Sequence, residues 1–198
     1  PAIDRIAARH DLQILADSAQ SFGGGIGNRR VGALARISAT SFYPAKPLGC
    51  YGDGGAVVTN DDALMERMVS FRVHGGATAG DVAERNYIHE AKYLNVRIGM
   101  NSRLDTIQAA VLLEKLAIFG EEIELRQKVA ARYNDKLAGH VISTPYVRDG
   151  YVSTWAQYTI EHENRDGLQA SLREKGVPTA VYYPIPLHQQ PGYAAFPA

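Results

Sequence analysis

A short apolar run ending on a carboxylate, Leu12-Gln13-Ile14-Leu15-Ala16-Asp17, constrains the fold of this chain more than any other feature. Such a run reads as a buried parallel strand. A helix end over residues 2–10 precedes it, with His10-Asp11 as the exit. Two more strand candidates follow at 37–42 and 55–59, and Asn60-Asp61-Asp62 reads as the cap of a helix over about 61–73. Helix alternating with strand predicts an α/β layer. Farther on, Leu104, Ile107 and Val111 predict one helix, and Leu125, Val129, Tyr133 and Leu137 predict a second. The pattern then changes. A strand at 157–160, a helix over 165–175 stopping at Gly176, and a strand at 179–182 put a domain change near residue 140. The polar, Gly-containing stretch 75–101 is long for a loop, and such loops serve function or a partner.

Composition narrows the function. Lys plus Arg and Asp plus Glu are 21 each, so the formal net charge is zero and no broad basic face points to nucleic acid. No apolar run approaches the ~20 residues of a membrane span. The single cysteine, Cys50, excludes an intramolecular disulfide and suits a reducing compartment, so the expected location is the cytoplasm. The six histidines form no ligand set, so no metal is expected. Neither G-x-S-x-G nor a dinucleotide or P-loop glycine pattern occurs, which argues against a triad hydrolase and a nicotinamide dehydrogenase. The chain opens on Pro1 inside a helical pattern and stops inside a loop, so it reads as part of a longer polypeptide.

Chemistry concentrates in Ser41-Phe42-Tyr43-Pro44-Ala45-Lys46-Pro47-Leu48-Gly49. Each proline fixes its own φ and restricts the residue before it, so Lys46 sits on a stiff loop right after a strand. A Schiff-base lysine needs that frame because its amine must meet a carbonyl carbon in a set direction. A solvated loop lysine is the alternative. Asp17 ends a strand where open α/β sheets bind ligands. Pyridoxal phosphate enzymes pair such an acid with the ring nitrogen and a lysine with the aldehyde. A turn cap at Asp17-Ser18 is the alternative here. Ser41 can donate to a phosphate oxygen, or be an ordinary core-edge serine.

Together with Asp17 to Gly23, Gly52-Asp53-Gly54-Gly55-Ala56, Arg72 to Gly75, Gly99 to Asp105 and Tyr183 to His188, these segments resemble the DegT/DnrJ/EryC1/StrS family of pyridoxal-phosphate-dependent sugar aminotransferases. Within that family the chain is most similar to transaminases of UDP-2-acetamido-2-deoxy-3-keto-hexuronic acid in O-antigen synthesis. The resemblance implies an α/β fold of aminotransferase fold type I: part of the large domain over 1–140 and part of the small C-terminal domain over 141–198. It makes Lys46 the residue that joins the cofactor aldehyde and shuttles the proton. Asp17 keeps the ring nitrogen protonated, Gln20 lies beside the ring, and Ser41 binds the phosphate. Asn101 reaches the phosphate of a neighbouring subunit's cofactor, and Arg103, Tyr183 and Tyr182 face the substrate. Asn101 to Asp105 also reads as a helix start. The implied partners are a nucleotide-sugar, L-glutamate and a second copy of the chain, in a homodimer with shared active sites.

Members often carry His where this chain has Tyr182, which alters the expected sugar-side contacts. The family fold also has an N-terminal part, bearing a Gly-Thr phosphate site and a stacking aromatic, that lies outside these residues. Dehydratases of the family replace the lysine by His, so Lys46 favours transamination. The competing reading is a catalytically incomplete remnant of the fold with a structural or regulatory role.

Overall fold

A computed structural model describes residues 2–85 and 91–196. The chain divides into two compact units, residues 1–136 with 145–158, and residues 137–144 with 159–198. The domain change expected near residue 140 differs from this in one respect: residues 145–158 belong with the first unit.

In the first unit, helix α1 (Ala2–Arg9) closes where the amide of Leu12 bonds to Ala7 and Asp11 takes φ +51°. Strand β1 (Leu15–Asp17) follows. A small hairpin, β2 (Gly25–Ile26) and β3 (Arg29–Arg30), lies between β1 and strand β4 (Ile37–Ser41). Strand β5 is Gly55–Thr59. The sheet order is β1-β4-β5. β1 runs parallel to β4 with Leu15 beside Ile37, Ala16 beside Ser38 and Asp17 beside Ala39. β5 is antiparallel to β4 and pairs Ser41 with Gly55. The expectation that β1 is buried needs correction. Among the described residues it lies at the edge of its sheet, and Leu15 is 59% exposed.

Helix α2 (Asp62–Phe71) starts as expected, with the Asp61 carboxylate accepting from the amide of Leu64 at 3.0 Å. Stretch 75–101 is not one open loop. It contains helix α3 (Ala79–Arg85), and its return arm pairs with the end of α2: His74 N bonds to Met100 O and Met100 N to Phe71 O. Residues 86–90 of that stretch lie outside the described residues.

Thr78 and Asp81 close a capping box at the start of α3, and Arg97 Nη2 meets Asp81 at 2.6 Å. The hydrogen bond from the Thr78 amide, and then the Arg97 guanidinium, hold the Asp81 carboxyl at about 2, below its ordinary 3.8. A depressed acid stabilises the fold above its ordinary pKa, and that stabilisation is lost as pH falls toward the folded value. The α3 segment should therefore loosen between about pH 4 and pH 2, read as faster amide exchange over 78–85. Asp81→Asn should loosen the segment already at neutral pH and flatten the acid step.

One continuous helix, α4 (Thr106–Leu137, 32 residues), replaces the two expected. Its buried stripe is Leu112, Phe119, Ile123 and Ala130, whereas Ile107, Leu125 and Val129 are exposed. Phe42, Leu48 and Cys50 pack with Leu112, Phe119 and Ile123 to form the core, flanked by Phe22, Ala56 and Leu104. Strand β6 (Tyr151–Val152) adds to the hairpin in the order β3-β2-β6. The strand expected at 157–160 does not form. Instead Tyr158 stacks on Tyr133, with ring centres 4.9 Å apart, and on Trp155 at 5.6 Å.

In the second unit, Ile142 N bonds to Glu161 O, and helix α5 (Arg165–Glu174) is capped by Asn164, whose Oδ1 accepts from Gly167 N. Gly176, at φ +74°, ends it as expected. The strand expected at 179–182 is absent from these described residues. Among the described residues no helix is long and apolar enough to cross a membrane.

Candidate active site

Side chains on paired parallel strands point the same way at matched positions and alternate along each strand. Asp17 lies beside Ala39, so Asp17 and Ser41 share one face of the sheet. Both sit at the carboxyl ends of adjacent parallel strands, with Cα atoms about 8 Å apart by strand geometry. That is the edge at which open α/β sheets bind ligands.

The strand ends are fixed by groups that the sequence reading missed. Ser18 is buried, and its hydroxyl is hydrogen-bonded to that of Ser38. Ser38 Oγ also donates to Ala16 O, Thr40 Oγ1 donates to Ser18 O, and Ser18 N bonds to Ala39 O at 2.7 Å. Thr154, likewise buried, donates to Gln20 O. The only advance signal was a run of small hydroxyl residues at Ser38, Thr40 and Ser41. Such residues pair across strands when their partners are buried.

Asp17 does cap its own turn: Ala19 N donates to Oδ1 at 2.9 Å. An ionised carboxylate has about four acceptor positions on two oxygens, so this leaves capacity for a cationic ring N–H. Its side chain is exposed, which corrects the expectation of a buried charge. The Gln20 side chain, in the same turn, is exposed too.

Lys46 stands on a loop closed at its roots. Cys50 N bonds to Phe42 O at 2.7 Å, Phe42 N to Gly54 O, and Lys46 N to Tyr43 O at 2.9 Å. Pro47, Leu48, Gly49 and Cys50 are buried while Tyr43, Pro44 and Ala45 are exposed, and Lys46 is half-buried between them. Gly49 permits the closure. A Cβ there would lie 2.7 Å from the carbonyl oxygens of both Tyr43 and Pro44. Cys50 is a packed thiol as expected, its Sγ donating to Phe42 O and Gly52 O.

Asn101 and Arg103 lie on the return arm beside Val73, and both are exposed. Among the described residues no hydrogen bond or ion pair joins them to Asp17, Gln20, Ser41 or Lys46. Tyr182 and Tyr183 belong to the second unit, exposed, with their rings 5.4 Å apart. Among the described residues no group of three or more His, Cys, Asp or Glu side chains is arranged to hold a metal.

A carboxylate and a hydroxyl at the sheet edge, with an amine on the closed loop that continues from the same strand, are the groups that suit a ligand carrying a protonated ring nitrogen, a phosphate and an aldehyde.

Comparison with known proteins leads the same way. The UDP-2-acetamido-2-deoxy-3-oxo-D-glucuronate aminotransferase of Pseudomonas aeruginosa is 48% identical over 193 residues, covering 98% of this chain and 50% of that protein. A crystal structure of a DegT DnrJ EryC1 StrS aminotransferase from Brucella abortus superposes with a TM-score of 0.87 at 52% identity, over 96% of this chain and 48% of that one. S. venezuelae DesV, solved in complex with a ketimine intermediate, gives 0.87 at 40% identity over 98% of this chain and 49% of its own. The chain thus spans about half the length of these relatives. The α/β architecture is that of these aminotransferases, and the DegT/DnrJ/EryC1/StrS aminotransferase family matches residues 1–197. The chain belongs to the DegT/DnrJ/EryC1/StrS aminotransferase family.

Proposed function

We propose that this chain is part of a pyridoxal-phosphate-dependent aminotransferase that moves an amino group from L-glutamate to the ketone of a nucleotide-linked sugar. A UDP-linked 3-keto-hexuronic acid for O-antigen or another surface polysaccharide is the favoured acceptor. The observation that carries this reading is the sharing of one sheet face by Asp17 and Ser41, with the closed Lys46 loop continuing from the same strand.

Bound at that edge, pyridoxal phosphate supplies an aldehyde that bonds to amines and a ring that draws electrons from the attached carbon. The residues of the chain do the rest. Lys46 Nζ anchors the aldehyde, and as a free amine it takes and returns the proton at the reacting carbon. The Asp17 carboxylate holds a proton on the ring nitrogen. Ser41 Oγ donates to the phosphate, and Gln20 flanks the ring. Asn101 reaches the phosphate site of a second copy, in a homodimer with shared sites, and the single cysteine suits the cytoplasm. Arg103, Tyr183 and Tyr182 orient the sugar. Residues 1–140 form the cofactor-binding domain and 141–198 part of the smaller one.

The test is a mass-spectrometric screen of nucleotide keto-sugars with the full-length protein and glutamate. Conversion of a UDP-linked 3-keto-hexuronic acid to its amine, with 2-oxoglutarate formed in equal amount, is the expected result. No conversion of any keto-sugar by a preparation that binds the cofactor would overturn the reading.

A further inference from the structure

The loop that carries Lys46 is held from outside by α4. Gln108, Leu112 and Lys115 follow one another at helical spacing and share one face of that helix. Leu112 packs in the cluster with Leu48 and Cys50. Gln108 Oε1 accepts from Tyr51 N at 2.7 Å. Lys115 Nζ donates to Gly49 O at 2.6 Å and lies over the Tyr51 ring, 4.9 Å from its centre. The same Gly49 closes the loop against the carbonyls of Tyr43 and Pro44. Lys115 therefore grips the chain where the two arms of the loop meet. An ammonium forms a stronger bond to a carbonyl than a neutral donor, and the aromatic face limits where the long side chain can go. α4 begins just after Arg103, so the helix that grips the Lys46 loop is also the continuation of the Asn101–Arg103 segment.

We propose that Lys115 is a positioning residue: its ammonium fixes the Gly49 carbonyl, and through the closed loop sets where the Lys46 amine stands. Gln108 serves the same end from two helical turns earlier. The lysine-positioning half of this inference rests on Lys46 being the cofactor-bearing lysine; the grip itself does not.

Two readouts on the full-length protein test it, using Lys115→Met, which keeps the stem and removes the charge and donors, and Lys115→Arg. The first is amide exchange without cofactor. Residues 43–51 should exchange about 10-fold faster in Lys115→Met and near the parent rate in Lys115→Arg, with 120–135 of α4 unchanged. The second is labelling of Lys46 by pyridoxal phosphate fixed with borohydride and read as peptide mass. Its rate should fall about 10-fold in Lys115→Met and return to within about 2-fold in Lys115→Arg. Unchanged exchange over 43–51 in Lys115→Met overturns the grip, whatever the labelling. Faster exchange with unchanged labelling overturns the positioning of Lys46. A parent protein that takes no label at Lys46 overturns the functional reading and the positioning with it, while exchange alone still decides the grip.

Discussion

Lys46→Ala should abolish glutamate-dependent turnover, by roughly 10⁴-fold or more, and remove the visible absorption of a lysine-linked cofactor. Such a loss corresponds to about 5.5 kcal/mol of barrier. It is large because one amine is asked both to anchor the aldehyde and to move the proton. The substitution leaves the loop intact: the closing bonds, Cys50 N to Phe42 O and Lys46 N to Tyr43 O, are all backbone, and the prolines and Gly49 are untouched. Without cofactor, the melting temperature should therefore move by no more than about 2 °C. Lys46→Arg separates the two readings of this residue. A loop lysine that serves only as a solvated cation is replaced well by arginine, whereas a guanidinium is always protonated and cannot bond to an aldehyde. Loss of turnover in both variants, with partial recovery of Lys46→Ala by a small added amine, is the expected pattern. Turnover of Lys46→Arg near the parent level would remove Lys46 from the mechanism.

Local signals in the sequence carried the elements whose residues are their own cause. The apolar run before Asp17, the Asp61 cap of α2 and the Gly176 stop of α5 are each read from a few neighbouring residues, and they reappear at Leu15–Asp17, Asp62–Phe71 and Arg165–Glu174. Elements whose cause lies elsewhere in the chain were not legible. β6 exists because Val152 pairs with Gly25, and residues 145–158 return to the first unit because Thr154 bonds to Gln20 and Trp155 to Gln127. Two apolar stripes, Leu104-Ile107-Val111 and Leu125-Val129-Tyr133-Leu137, predict two helices where one runs. The buried stripe is a third one, and Gly120, which faces open space, costs only about 1 kcal/mol against alanine in a helix anchored on both sides. The site divides the same way. The residue types able to do the chemistry stood out, since a lysine between prolines and an acid at a strand end are local facts. What holds them, the Ser18–Ser38 contact and the reach of Lys115 to Gly49, joins residues far apart in sequence.

Gly75→Ala should be the most destabilising single-methyl change in the first unit. Gly75 has φ +76°, and a Cβ there would fall 1.8 Å from the carbonyl oxygen of Arg97. Gly99 faces it across the same contact, its own added Cβ falling 2.2 Å from Gly75 N. The two glycines let the end of α2 and the return arm lie backbone to backbone. Around them run His74 N to Met100 O, Gly75 N to Ser70 O, Val96 N to Gly75 O and Ser102 N to Arg72 O. Asn101 is seated by this ladder, and α4 starts from it. A methyl pressed on a flexible side chain can be relieved by a rotation, but one pressed on a backbone carbonyl must part the two segments. The left-handed backbone costs about 1–2 kcal/mol for a residue with a Cβ, and overpacking about 1–3 kcal/mol or more. Together these give roughly 2–5 kcal/mol, a fall in melting temperature of about 10 °C for a chain of this size. Gly139→Ala isolates the first contribution, because Gly139 has the same φ of +76° with nothing within 4 Å. That variant should lose only about 1–2 kcal/mol. If both variants melt together, the close approach at Gly75 is not what sets the cost. A much lower melting temperature for Gly75→Ala alone, with faster amide exchange at His74 and Met100, ties the seat of Asn101 to the missing side chain.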